Sequence, residues 1–177
     1  MGELAAIRKI LDGVRRGVEE TVAGVAPGET WRPSPAAHPD DEAAYRSGMA
    51  EEELNWSPAR GVNSAGALLV HLAAAQRYWI GQVIGGRDSH RDRPAEFVPR
   101  ILEQAAVLRE YRETNAAADG VLEGLSDADL DREVEGAGGR TTVREVLLRL
   151  IAHFAHHRGQ LLLLKRLLHP AQSSAQG

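Results

Sequence analysis

The chain has 177 residues, 43% of them hydrophobic and 26% charged, which is the composition of one soluble globular domain rather than of a disordered or membrane-embedded chain. A formal net charge of −4 leaves no basic footprint for nucleic acid, so nucleic-acid binding is not expected. The complete absence of cysteine excludes disulfides, cysteine-ligated zinc and a cysteine nucleophile, so any thiol chemistry needs a thiol from another molecule.

Residues 3–25 carry Leu4, Ile7, Ile10, Leu11, Val14, Val18, Val22 and Val25 at steps of three and four, the spacing of one helical face. Pro27 and Gly28 end this first helix. A long proline-bearing connection then runs to Asn63, with a short helix expected over residues 40–54. The second helix spans residues 64–84, capped by Asn63 or Ser64, and its first half, "SAGALLVHLAAA", is apolar on nearly every side and therefore predicted to be buried all round.

After the loop "GGRDSHRDRP", a third helix is expected over residues 95–122, with Ile101, Leu102, Ala105, Leu108 and Tyr111 facing inward. "LSDADL" reads as a capped turn and "EGAGGRT" as a flexible connection. Thr142 and Glu145 form a capping-box pattern, so the fourth helix begins there and runs to Leu168, before Pro170. No stretch reads as a strand. The expected fold is all-α: a four-helix bundle with a long connection between helices 1 and 2 and short additional helices, one domain over residues 1–169 and a disordered tail over 170–177. No stretch is long and uncharged enough for a bilayer span, and the N-terminus lacks a signal-peptide pattern, so a cytoplasmic location and no membrane partner are expected.

Three histidines stand in "HFAHHRGQ" on the last helix. At 100° per residue His157 falls within the apolar stripe, His153 on its edge and His156 well off it. His153 and His157 are thus one turn apart on the same side, where two imidazoles can reach one metal ion. His71 interrupts the apolar second helix, where an unsatisfied polar side chain is costly. One metal site, with His71, His153 and His157 as ligands and coordination positions left open, explains both costs. Imidazoles bonded to backbone carbonyls, or lying at a wet margin of the bundle, explain them separately. His38, His90 and His169 fall in loops and are assigned to solvent.

Other residues leave two readings each. Arg158 and Gln160 either orient a ligand or lie solvated or at an interface; Tyr78 and Trp79 either line a pocket or fill the core; Arg91, Arg93 and Glu96 form either a structural ion cluster or an anion site. Gly159, unfavourable within a helix, points to close approach of another backbone, and the greasy segment 161–168 to pairing of two chains.

"EELNWSPARGVNS", "NSAGALLVHLAAAQRYW", "GGRDSHRDRPAEF" and "HFAHHRGQL" together resemble segments of the DinB/YfiT-like proteins, over residues 51–168. The resemblance implies a four-helix bundle, often a homodimer, in which His71, His153 and His157 bind a divalent metal, usually nickel or zinc. It further implies a small-molecule substrate and, in part of the family, a low-molecular-weight thiol cosubstrate in S-transfer or isomerisation. A metal-dependent hydrolase and a non-catalytic metal-binding or stress-related module are the alternatives. The proline-rich stretch from Pro27 to Met49 is longer than in the pattern it resembles.

Overall fold

Helix α1 (Glu3–Ala23) buries Leu4, Ile7, Leu11, Val18 and Val22, as the three-and-four spacing requires. The computed structural model describes residues 2–25, 46–98 and 100–169. Ile10 departs from the expected stripe and is 54% exposed. Arg15 is buried instead, its Nε donating to Gln76 Oε1 at 2.7 Å and its Nη1 to Asp119 Oδ1 at 2.6 Å. Gly24 closes the helix at φ +84°, a conformation suited to glycine, and a Cβ there would lie 2.5 Å from the Arg46 carbonyl oxygen. Residues 40–45 of the expected short helix lie outside the described residues, as do the tail and most of the proline-rich connection. The helix that is described there, α2, is confined to Glu51–Asn55.

Helix α3 (Ala65–Gln76) starts at Ser64, whose side chain accepts from Ala67 N at 3.2 Å, and it is buried on nearly every side as its composition predicts. Residues Arg77–Ile84 continue it as a π-helix that ends at Gly85. A 3₁₀ turn (Pro94–Phe97) then folds back on α3.

The third long helix, α4 (Gln104–Glu123), begins nine residues after the expected Ala95. The reason is tertiary: Asn55 accepts from Ile101 N at 2.8 Å and donates to Ile101 O at 2.7 Å, so Asn55 takes both backbone groups of Ile101. The Ile101 side chain covers Gly66, while Leu102 stays 72% exposed and Ala105 is exposed too; Val107, Leu108 and Tyr111 carry the buried face.

The capped turn appears as a 3₁₀ helix (Asp127–Asp131). The connection expected to be flexible is instead an antiparallel hairpin, β1 (Glu133–Gly136) with β2 (Gly139–Thr142), with Val134 opposite Thr141. Helix α5 (Val143–Leu168) follows at once, with the capping box as expected: Glu145 N donates to Thr142 Oγ1 at 3.2 Å and Thr142 N to Glu145 Oε2 at 2.9 Å.

The four long helices close a bundle in which α1 packs on α5 and α4, and α3 on α4 and α5. Phe154, Tyr111, Leu11, Leu68, Leu72 and Leu147 fill its centre. No described helix is long and apolar enough to cross a membrane. The facing of α3 against α5 is what brings their histidines together.

Candidate metal centre

His71 comes from the middle of α3 and is 4% exposed; His153 and His157 come from successive turns of α5 and are half-buried. His153 Nε2 stands 3.0 Å from His71 Nε2 and 3.0 Å from His157 Nε2. All three expected residues are thus together, with potential ligand atoms within 4.8 Å of one another. His156 is exposed, as its wheel position predicts.

On two of the three rings the other nitrogen is anchored. His71 Nδ1 donates to Glu96 Oε2 at 2.6 Å, and His157 Nδ1 donates to Gln160 Oε1 at 2.6 Å, tautomers that follow from the acceptors facing them. Both Nε2 atoms therefore carry lone pairs, and both are aimed at His153 Nε2. A single proton on His153 Nε2 serves one of them along a straight hydrogen bond and leaves the lone pair of the other without a donor. A cation bound by imidazole at ~2.0–2.1 Å resolves the conflict, because nitrogens at that distance on right-angled or tetrahedral positions stand about 2.8–3.4 Å apart. Both 3.0 Å separations, with imidazole as the donor, therefore suit a divalent transition metal that prefers such nitrogen ligands.

Electrostatics favour the neutral, ligating form. Burial, then the neighbouring His157 and His71, drive the His153 imidazole down to about 4. Burial also lowers His71, against the pull of Glu96, and lowers His157, against its bond to Gln160. Glu96 is itself 4% exposed. Burial raises its pKa, but bonds from Arg91 and His71 outweigh that and hold the carboxyl below its usual range. Arg91 grips Glu96 with two bonds, Nε to Oε1 at 2.6 Å and Nη2 to Oε2 at 3.0 Å. The chain Arg91–Glu96–His71 fixes ring orientation and raises the basicity of Nε2, the role that carboxylates behind metal-bound histidines play.

The triad opens on a cavity of about 300 Å³ lined by His71 and His153, with Trp79, Tyr78, Val146 and Leu150 among its walls. This is the lower end of the range for small-molecule pockets. The π-wound turn supplies Tyr78 and Trp79, and the hairpin packs Gly136 against the Trp79 ring so closely that a Cβ would lie 2.6 Å from it. The hairpin, unforeseen as structure, thus forms part of the rim through Ala137.

The two open readings of several residues now resolve. Tyr78 and Trp79 line the cavity, Arg91 and Glu96 are tied to His71, and Gln160 orients His157. Arg158 is no part of the triad; its Nε is buried over Gly17 without a hydrogen-bond partner among the described residues. Beyond its own turn of helix, no described atom lies within 4 Å of a Cβ built on Gly159. His90 pairs with Asp88 and His169 with Glu53, while His38 lies outside the described residues. Sequence reasoning had no means to connect Glu96 to His71, because only the 3₁₀ turn folding back on α3 joins positions 25 apart.

A bundle with three convergent imidazoles on facing helices defines a helical protein able to hold a metal ion. A family model described as the DinB superfamily matches residues 37–161, and the chain belongs to that superfamily. No curated protein matches the chain at a significant level.

Proposed function

We propose that His71, His153 and His157 hold a divalent metal ion, nickel or zinc, and that the protein is a metal-dependent enzyme acting on a small molecule with an external thiol as cosubstrate, in an S-transfer or isomerisation. The observation that carries this reading is the convergence of two Nε2 atoms on a third, 3.0 Å from each, at the edge of a half-open cavity. The bound ion would supply Lewis-acid charge that lowers the pKa of a thiol beside it.

The chain's own residues do the rest. Glu96 and Gln160 hold two of the rings in register, and Trp79, Val146 and Leu150 keep water from one side of the site. The thiol comes from outside because the chain has no cysteine. The reading takes residues 1–169 as one domain of a cytoplasmic homodimer, with Leu163 and Leu167 as exposed apolar positions on α5 for pairing.

The test is metal analysis of the purified protein and of His153→Ala, followed by cobalt(II) substitution. The expected result is one metal ion per chain in the wild type and a large loss in the variant. With cobalt in place, 2-mercaptoethanol should produce a sulfur-to-cobalt charge-transfer band that ethylene glycol does not. Equal metal content in both proteins would dismiss the ligand set; a cobalt site indifferent to the thiol would dismiss the thiol reading alone.

A further inference from the structure

The charge around the cavity does not balance. Arg91, Arg93 and Arg149 all line it and, among the described residues, no carboxylate does. Arg91 is neutralised by Glu96, whose two oxygens it holds at 2.6 and 3.0 Å. Arg93 and Arg149 have no carboxylate within ion-pair distance among the described residues. They lie over aromatic rings instead, Arg93 at 5.9 Å from the Phe97 centroid and Arg149 at 5.9 Å from that of Trp79. The acidic residue one turn before Arg149, Glu145, feels the Arg149 charge at a distance, but its hydrogen bonds go to the helix cap, Thr142 N and Thr141 Oγ1. Two guanidinium charges thus face the cavity with no ion-pair partner among the described residues, in a protein whose net charge is −4.

The two come from different elements, Arg93 from the loop before the 3₁₀ turn and Arg149 from α5, one turn before His153. Between them the wall is apolar: Ala75, Trp79, Val146 and Leu150. Guanidinium groups present fixed forks that match carboxylate and phosphate oxygens, and a concave apolar site with a few placed charges is the usual form of a small-molecule pocket.

We propose that this cavity binds a small organic anion, its carboxylate or phosphate held by Arg93 and Arg149 and its apolar body lying on Trp79, with the far end at the histidine triad. The proposal deepens the enzymatic reading by giving the substrate class, and it rests on that reading for the role of the triad. The anion site itself needs no metal: its contacts are to the two arginines. Neutral compounds of the same shape lack the feature that the cavity is charged to recognise.

Calorimetric titration of the protein as purified, and of protein stripped by chelator, with 3-phenylpropionate, phenyl phosphate and the neutral 3-phenylpropanamide tests it. At least one of the two anions should bind ten times or more tightly than the amide, in both preparations, and the preferred one identifies the group. Arg93→Ala and Arg149→Ala, both at exposed positions that spare the core, should each reduce the preference several-fold, and the affinity should fall with added salt. Equal binding of anions and amide, no binding of any probe, or a preference untouched by both substitutions would overturn the proposal. A preference that disappears with the metal yet survives both substitutions would belong to the ion and would overturn it too. If the arginine-dependent preference stands while no metal co-purifies, the anion site is upheld and the metal reading fails separately.

Discussion

Replacing Glu96 by glutamine probes the residue that sequence reasoning could not connect to the site. The side chain keeps its shape but loses its charge and one of its two acceptor oxygens. Glu96 serves three donors, His71 Nδ1 at 2.6 Å and Arg91 Nε and Nη2 at 2.6 and 3.0 Å. A glutamine offers one oxygen to this set and turns an NH₂ group toward the remaining donors, so one charge-assisted bond is lost and a donor–donor clash appears, about 1.5–3 kcal/mol of fold stability. The loss is moderated because Arg91 reaches partly into water. Metal affinity suffers separately, since His71 is no longer held in the tautomer that exposes Nε2. Loss of such a partner typically costs ten- to a hundredfold, about 1.4–2.7 kcal/mol of binding. Competition against a chromogenic chelator gives the metal affinity, and urea denaturation of stripped protein gives the stability term alone. A Glu96→Gln protein that binds metal as tightly as the wild type would refute the coupling of Glu96 to the triad.

Acidity and packing give two further tests. The triad imidazoles are depressed below the unfolded value of ~6.5, so between the two states the unfolded chain binds the extra protons. Their contribution to stability is therefore complete above pH ~6.5 and is lost as the pH falls through about 4, the value for His153. Urea midpoints of stripped protein should drop across that window, less so in His153→Ala; an identical drop in both would rule His153 out as the source. Gly66→Ala sets helix propensity against crowding, because its Cβ would lie 2.5 Å from Ile101 Cγ1 and 2.9 Å from the Leu54 carbonyl oxygen. Overpacking at roughly 1–3 kcal/mol outweighs the propensity gain of about 1, so the melting temperature should fall, and a rise would show that Ile101 yields freely.

Much of this site was written in local sequence. Thr142 and Glu145 announced the start of α5 because both halves of the capping box lie within one turn. His153 and His157 were a pair because the helix period puts them together, and His71 stood out as a polar residue in a segment with no solvent face. The hairpin was missed because of its strands only Val134 is buried, so they carry no apolar alternation. The start of α4 was misplaced because Ile101 and Leu102 continue a helical pattern that Asn55, 46 positions away, interrupts. The π-winding of Arg77–Ile84, which presents Tyr78 and Trp79 to the cavity, alters backbone spacing without changing which residues are apolar.

X-ray diffraction from crystals of the protein as purified, collected at the absorption edge of whichever metal it contains, tests the central claim most directly. The expected result is one anomalous peak at ~2.0–2.2 Å from Nε2 of His71, of His153 and of His157 together. A peak bound elsewhere, or three imidazoles spread apart with no peak among them, would contradict it.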